Sequence, residues 1–280
     1  MAIEPHTSRP DTRGATPGTA RSRVATLLAA AREEYAVDAR AGRAGRLVQA
    51  RYAAVFDDII RRLVAEWEGG APFVVCAVGG YGRRTLCLHS DIDLLIVFDG
   101  RIGAVEERLL NGLLQPLWDL RLTVGHHVRE LAELGTDDDR NPEFLLALCD
   151  LRLLVGDVRV FDEVIGATAR ANPAGAPALI DALLQLTDAR YAEFNDTLYQ
   201  LEPDVKKAPG GLRDISAVRL LATLARDAFA AAGPSSIDRL SEAEEFLQRV
   251  RSVLHLDARR DANVLTHEQQ ERVAEVLGLP

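Results

Sequence analysis

The chain has 280 residues, of which 48% are hydrophobic and 27% charged, a composition typical of a globular protein with one large or two small domains. Its formal net charge of −9 argues against non-specific binding to nucleic acid, and no apolar run approaches the ~20 residues that a membrane-spanning helix needs. We therefore expect no nucleic-acid or membrane partner. Cys76, Cys87 and Cys149 lack the spacing of a metal site and are expected as reduced thiols, which favours a cytoplasmic location.

The N-terminal part of the chain predicts a tail and two helices. Residues 1–18 combine Thr, Pro and Gly without an apolar core and are expected to form a flexible tail. Alanine- and leucine-rich periodicity predicts helices over 21–41 and 47–67, which together form an N-terminal unit over 19–68.

The next part of the chain predicts a small sheet. Apolar runs indicate three strands, over 73–78, 91–98 and 122–128, and a helix over 105–120 lies between the last two. This order is typical of a mixed sheet backed by helices, and we assign it to a catalytic module over 69–135.

The remainder, residues 136–280, predicts a helical domain. A loop over 202–211 interrupts its helical periodicity. The predicted helices cover 142–155, 158–171, 177–201, 212–232, 237–261 and 266–277. The expected fold class is therefore α+β, with a small mixed-sheet module followed by helices.

A glycine-rich turn, a serine and two aspartates stand between the first two predicted strands. Asp91 and Asp93 are two residues apart, so on an extended strand both carboxylates point to the same side. Such a pair can hold one or two Mg²⁺ ions while a nucleotide supplies further oxygens. Gly79 and Gly80 would let backbone N–H groups approach phosphates, and Ser90 would add a hydroxyl donor. A polar strand end is the alternative, but unpaired buried carboxylates are costly, which favours metal–nucleotide chemistry.

Three segments together resemble a known family. Gly-Gly-Tyr-Gly-Arg-Arg at 79–84, followed by Ser-Asp-Ile-Asp-Leu at 90–94, resembles the nucleotidyltransferase motif of bacterial PII uridylyltransferase/uridylyl-removing enzymes. These enzymes belong to the DNA polymerase β-like nucleotidyltransferase superfamily. The segment 201–214 is similar to the family's Leu-Glu-Pro…Gly-Gly-Leu-Arg-Asp signature, and 246–255 is a third match. The resemblance implies a polymerase β-like module joined to a helical domain.

The resemblance also implies a set of site residues. Asp91 and Asp93 would be the catalytic metal ligands, with Mg²⁺ or Mn²⁺ as the metal and UTP or ATP as the substrate. The nucleotide-binding set would be Gly79, Gly80, Arg83, Ser90, Lys206, Gly210, Gly211, Arg213 and Asp214. On residue types alone, the last five would be read as an ordinary loop with a glycine turn, in which Asp214 caps the following helix.

A third carboxylate is missing from its usual place. Many polymerase β-like enzymes carry one on a later strand, but the strand predicted over 122–128 contains no acid. It offers His126 and His127, of which either is a candidate base or substrate contact, although a histidine pair on a strand is more often structural. Asp150 matches an acidic position of the family, and its alternative is a solvated position on a helix.

The expected function is transfer of UMP, or AMP, to a tyrosine hydroxyl of a PII signalling protein. A nucleotidyltransferase with another acceptor and a non-catalytic nucleotide-binding or interaction module remain alternatives. Full-length members of the family continue into an HD phosphohydrolase domain and two ACT domains, which we do not find in this sequence. We therefore expect a fragment or a stand-alone transferase, without the nucleotide-removing reaction.

Overall fold

The computed structural model describes residues 17–65, 67–134, 142–171, 175–225 and 234–280. The helices are α1 (Pro17–Arg40), α2 (Arg46–Val64), α3 (Gly79–Gly82), α4 (Ala104–Asp119), α5 (Pro142–Leu148), α6 (Val158–Ala171), α7 (Ala176–Ala192), α8 (Leu212–Leu224), α9 (Pro234–Ala258) and α10 (His267–Leu277), with a short 3-10 helix at Leu131–Glu133. Apart from its last two residues, which begin α1, the predicted N-terminal tail lies outside the described ranges. No helix in the described part of the chain is long and apolar enough to cross a membrane.

A four-stranded mixed sheet confirms the predicted α+β class. Its strands are β1 (Phe73–Ala77), β2 (Ile92–Phe98), β3 (Val124–Glu130) and β4 (Arg152–Gly156), in the spatial order β3-β2-β1-β4. The strand β1 pairs antiparallel with both β2 and β4, whereas β2 and β3 run parallel. The two central strands, β1 and β2, are almost continuously apolar because helices cover both faces of the sheet.

The sheet separates two apolar cores. Ile92, Leu94 and Ile96 of β2 point into the larger core, which α1, α2 and α4 complete. Leu95 and Val97 point to the opposite face, which α5 and α6 cover. The period of two along β2 places Asp91 and Asp93 on the same side as Leu95, at the strand's N-terminal end.

The fourth strand corrects the prediction of one helix over 142–155. The helix α5 ends at Leu148, the chain turns at Cys149 and Asp150, and β4 then pairs with β1. The segment Arg-Leu-Leu-Val-Gly is a short apolar run, for which periodicity does not distinguish a strand from a buried helix. The sheet therefore includes an edge strand from the segment 136–280, which was predicted to be entirely helical.

The remaining helices agree with the prediction except at their ends. The helix α7 stops at Ala192, before a turn in which Asn195 and Asp196 adopt positive φ angles of 54° and 52°. The sequence predicts that α8 extends to residue 232, but residues 226–232 lie outside the described part of the chain. A third small core joins α9, α10 and Val205.

The helices α1 and α2 connect the sheet to α9. The hydroxyls of Tyr35 in α1 and Ser252 in α9 are 2.7 Å apart, and Gln49 Nε2 in α2 donates to Gln248 Oε1 in α9 at 2.9 Å. These contacts are buried, so the N-terminal helices fix α9 against the sheet module.

Candidate active site

The two aspartates lie at the tip of β2. Asp91 is exposed and Asp93 is half-buried, while Ile92 between them is fully buried on the other face. Burial, and secondly the negative charge of Asp91, raise the pKa of Asp93. A divalent cation held by the two carboxylates would stabilise the charged form of Asp93.

The glycine turn follows β1 and faces the aspartates. Gly79 has φ 55°, and a Cβ built on it would lie 3.6 Å from Asp93 Oδ2. Asp93 accepts the N–H of Val78 on its backbone oxygen at 3.1 Å, which ties the turn to the head of β2. A Cβ on Gly82 would lie only 2.0 Å from the backbone oxygen of Asp150, so this position requires glycine.

A single polar cleft of about 260 Å³ joins the two main sequence motifs. Its predicted residues are Gly79, Gly80, Arg83, Ser90, Asp91, Asp93, Lys206 and Arg213. Those before residue 100 come from the sheet module, and Lys206 and Arg213 come from the loop before α8 and the first turn of α8. Packing therefore brings together two segments that are more than a hundred residues apart in the sequence.

Positively charged side chains line the same cleft as the aspartates. Lys206 is partly buried, and burial together with the neighbouring charge of Arg251 lowers its pKa. Arg251 of α9 is buried, donates from Nε to Asn263 Oδ1 at 2.7 Å, and donates from Nη2 to Ser90 Oγ at 3.3 Å. Such an arrangement suits a polyphosphate whose charge is shared between the cations and a metal.

Three of the predicted nucleotide-binding residues lie elsewhere. Gly210 and Gly211 line a separate, mostly apolar cavity of about 230 Å³ behind the loop. Asp214 is ion-paired with Arg190, and it accepts the hydroxyl of Tyr191 and the N–H of Gly210, both at 2.6 Å. The structure thus places Asp214 in a local network that stabilises the loop and the start of α8.

Arg83 and Asp150 form an ion pair at the edge of the cleft. Burial raises the pKa of Asp150, and the Arg83 guanidinium opposes that shift. Asp150 lies in the turn before β4, so its interpretation as a solvated helix position is wrong. The pair leaves Arg83 on the cleft wall, although part of its charge is neutralised.

The two histidines of β3 point in opposite directions. Asp93 pairs in register with Gly125, so His127 shares the face of Asp93 while His126 is on the other face. The rings of His126 and Trp118 are 5.9 Å apart, whereas His127 contacts Phe144 at 5.4 Å. Within the described ranges no group of three or more His, Cys, Asp or Glu side chains is placed to hold a metal.

Several cleft residues were not predicted. They are Thr85, Leu86, Leu212, Ser216, Glu244, Gln248 and Arg251. Arg251 belongs to the third family-like segment, where an arginine stands among the buried residues Val250, Ser252 and Val253. A buried charge in an apolar helix face is the sequence signal that indicates a role for Arg251.

Comparisons with known proteins agree with this geometry. A family profile described as GlnD PII-uridylyltransferase matches residues 178–280. The bifunctional uridylyltransferase/uridylyl-removing enzyme of Stutzerimonas stutzeri is 34% identical over 252 residues, which cover 85% of this chain and 28% of that enzyme. The enzyme of the same name from Methylococcus capsulatus is 34% identical, with 75% and 25% covered, and that from Vibrio parahaemolyticus is 37% identical, with 72% and 24% covered.

The matched segments include both halves of the cleft. The chain spans about a quarter of the length of these curated relatives. Over that span, the chain belongs to the PII-uridylyltransferase family.

Proposed function

We propose that the chain is a metal-dependent nucleotidyltransferase that transfers UMP, or AMP, from a nucleoside triphosphate to a tyrosine hydroxyl of a PII signalling protein. The hydroxyl oxygen forms a bond to the α-phosphorus, the bond from that phosphorus to the bridging oxygen breaks, and pyrophosphate leaves while the hydroxyl proton is released. The names of the matched relatives support the uridylyl group.

One observation carries the proposal. Asp91 and Asp93 line the same cleft as Lys206 and Arg213, together with Gly79. Acidic and basic side chains in one polar cleft of about 260 Å³ suit a ligand that is itself negatively charged and carries a cation. A nucleoside triphosphate with Mg²⁺ or Mn²⁺ fits both requirements.

The residues of the cleft would act by alignment and by charge. A divalent cation held by Asp91 and Asp93 would neutralise phosphate charge that develops on the leaving group. Lys206 and Arg213 would bind the non-reacting phosphates and fix the α-phosphorus near the aspartates. Ser90 already accepts hydrogen bonds from Cys87 N–H and Arg251, so its remaining role as a hydroxyl donor suits a phosphate oxygen.

Transfer of a radiolabelled nucleotide tests the proposal. The protein is incubated with Mg²⁺, labelled UTP or ATP and a PII protein, and Asp93→Asn is compared with the unaltered chain. Loss of a metal-binding carboxylate should lower the transfer rate by about 10²-fold or more. The matched control is Asp162→Asn, which makes the same change at an exposed position of α6 and should leave the rate unchanged.

The outcomes separate the alternatives. Label transfer that survives Asp93→Asn would contradict the assignment of the metal site. Binding of UTP or ATP without transfer to any acceptor would favour a nucleotide-binding module. Transfer to another acceptor but not to PII would support nucleotidyl transfer and contradict PII as the acceptor.

A further inference from the structure

A buried ionic cluster lies behind the glycine turn, on the side away from the cleft. Asp57 of α2 is 2% exposed, and its carboxylate accepts from Arg152 Nη1 at 2.7 Å and from Arg152 Nη2 at 3.1 Å. The hydroxyl of the buried Tyr81 also donates to Asp57, at 2.9 Å. Arg84 of the turn adds a longer contact, from Nη2 to Asp57 Oδ2 at 3.8 Å. The cluster thus joins α2, the turn and β4, chiefly through the Asp57 carboxylate and the Arg152 guanidinium.

The same guanidinium holds the backbone of the turn. Arg152 Nε donates to the backbone oxygen of Gly82 at 3.1 Å, and Nη2 donates to that of Tyr81 at 3.1 Å. Arg152 also lies over the ring of Tyr81, with its central carbon 5.3 Å from the ring centroid. The planar fork of arginine makes these contacts and the Asp57 pair at the same time, which a lysine ammonium cannot do.

These contacts determine the orientation of two peptide planes. The carbonyls of Tyr81 and Gly82 belong to the peptides that carry the N–H groups of Gly82 and Arg83. Those N–H groups donate back to Val78 and Gly79, each at 3.0 Å, so both planes are held from both sides. Both peptides belong to the turn whose residues Gly79, Gly80 and Arg83 line the cleft.

The turn also contains a strained residue. Arg84 has φ 62°, a left-handed conformation that costs about 1 kcal/mol for a residue with a side chain. Its N–H donates to the backbone oxygen of Tyr81, the atom that Arg152 also contacts. Such a conformation persists where neighbouring contacts over-determine it, and the Asp57–Arg152 pair provides those contacts.

We propose that Asp57 and Arg152 are positioning residues that hold the turn over 79–84 in its nucleotide-binding conformation, an inference that rests on the proposed function. Neither residue lines the cleft. The turn that they contact contributes Gly79, Gly80 and Arg83 to the lining of the cleft. The helix α2 is thereby part of the nucleotide-binding apparatus, although it contributes no residue to the cleft wall.

A purely stabilising role would not require this arrangement. Buried ion pairs contribute little net stability because desolvation offsets their attraction, and apolar residues of similar volume often replace them without loss. The contacts to two consecutive carbonyls are specific to the geometry of the turn. Removing one partner alone does lower stability, because it leaves the other charge buried without its counter-ion. The expected consequence of disrupting the cluster is therefore weaker nucleotide binding in variants that are still folded at the assay temperature.

Calorimetric titration of UTP and of ATP, each with Mg²⁺, into the full chain tests the proposal without an acceptor. Arg152→Lys keeps the charge and removes the fork, and Asp57→Asn keeps the shape and removes the charge pair. Each variant should raise the Kd by about tenfold, and in the transfer assay KM for the nucleotide should rise more than kcat falls. Thermal melts show which variants are folded at the assay temperature, and the two substitutions are independent routes to the same test.

Leu28→Ala is the control for general destabilisation, because Leu28 is buried in α1, a helix with no residue in the cleft lining. It should lower the Tm while leaving the Kd within twofold. A folded Arg152→Lys or Asp57→Asn variant with the Kd of the unaltered chain would overturn the inference. If the unaltered chain itself bound neither nucleotide, the proposed function would fail first, and the inference would fail with it.

Discussion

Arg251 donates a hydrogen bond from Nη2 to Oγ of Ser90, 3.3 Å away, across 161 residues of sequence. The contact joins α9 to the serine that precedes the aspartate pair. The side chain of Arg251 is only 6% exposed; its Nε donates to Asn263 Oδ1 at 2.7 Å, and its Nη2 lies 3.4 Å from Asp261 Oδ1. A buried cation fixed in this way is preorganised to meet a phosphate without reordering.

Arg251→Lys should weaken nucleotide binding. A lysine retains the charge but cannot contact Ser90, Asn263 and a phosphate together, so KM for the nucleotide should rise about tenfold, or about 1.4 kcal/mol. Steady-state transfer kinetics measure the change. Arg249→Lys on the same helix is the control, because Arg249 contacts Gly42 and does not line the cleft. Equal KM values for the two variants would contradict the assignment of Arg251.

Gly125→Ala should damage the site more than the fold. A Cβ at Gly125 would lie 2.5 Å from Asp93 Oδ1, so the carboxylate must move. Gly125 is exposed on the edge strand β3, where relaxation of the backbone limits the loss of stability to about 1 kcal/mol. We expect transfer to fall by about 10²-fold, because a displacement of 1 Å at a catalytic group has an effect of this size.

Gly112→Ala is the matched control for that substitution. Gly112 lies on the exposed side of α4, and a Cβ there would meet no atom within 4 Å. Alanine should stabilise the helix by about 0.5–1 kcal/mol and leave transfer unchanged. Urea unfolding and transfer rates of both variants decide the comparison. A Gly125→Ala enzyme with unaltered activity would show that Asp93 does not need its present position.

The local part of the site could be predicted from sequence, because it depends on short-range geometry. The spacing of Asp91 and Asp93 determines that they share a face of β2, and apolar runs identify β1, β2 and β3. The strand β4 could not be identified in the same way. Its apolar run follows α5 after only three residues, Cys149 to Leu151, without the glycine or proline that marks a break.

The long-range part of the site depends on packing that no local pattern encodes. The side chain of Lys206 reaches the cleft, while Asp214 in the same motif turns away to Arg190 and Tyr191. Residue types in the motif do not distinguish these two outcomes. Only the position of α9 against the sheet brings Arg251 to Ser90, and that position follows from contacts with α1 and α2.

Acidification should destabilise the protein through His255. This histidine is fully buried, its Nδ1 accepts the N–H of His89 at 3.4 Å, and its Nε2 lies 2.9 Å from Asp261 Oδ1. Burial, with the charge of Arg251, lowers the pKa of His255 from 6.5 to about 4, although Asp261 opposes the shift. The unfolded chain therefore binds the proton more tightly than the folded one does.

Because the pKa of His255 is lower in the folded protein than in the unfolded chain, stability is lost as the pH falls. The contribution of His255 to the free energy of unfolding is fully present above pH 6.5. It decreases as the pH falls towards 4, by up to about 3 kcal/mol. The pKa of Asp261 is lowered chiefly by its hydrogen bond with His255, so its own stabilisation is lost only below its ordinary value of 3.8. Urea midpoints between pH 7.5 and 5 measure the slope. His255→Gln should flatten it and leave a smaller slope from His89, whose pKa burial also lowers; an unchanged slope would contradict the assignment.

The neighbouring lysines of the loop should differ in their effect on nucleotide binding. The backbone N–H groups of Lys206 and Lys207 both donate to Asp204 Oδ1, at 2.8 Å and 2.7 Å, so the two residues share one backbone anchor. Of these two lysines, only Lys206 lines the cleft, whereas Lys207 is exposed.

Lys206→Met should raise the Kd for UTP or ATP at least about tenfold, because a partly buried charge is weakly screened. Lys207→Met removes the same charge in solvent and should change the Kd less than about twofold. Titrations at two salt concentrations measure both values, and similar losses for the two variants would indicate that net charge, rather than the geometry of the cleft, attracts the nucleotide.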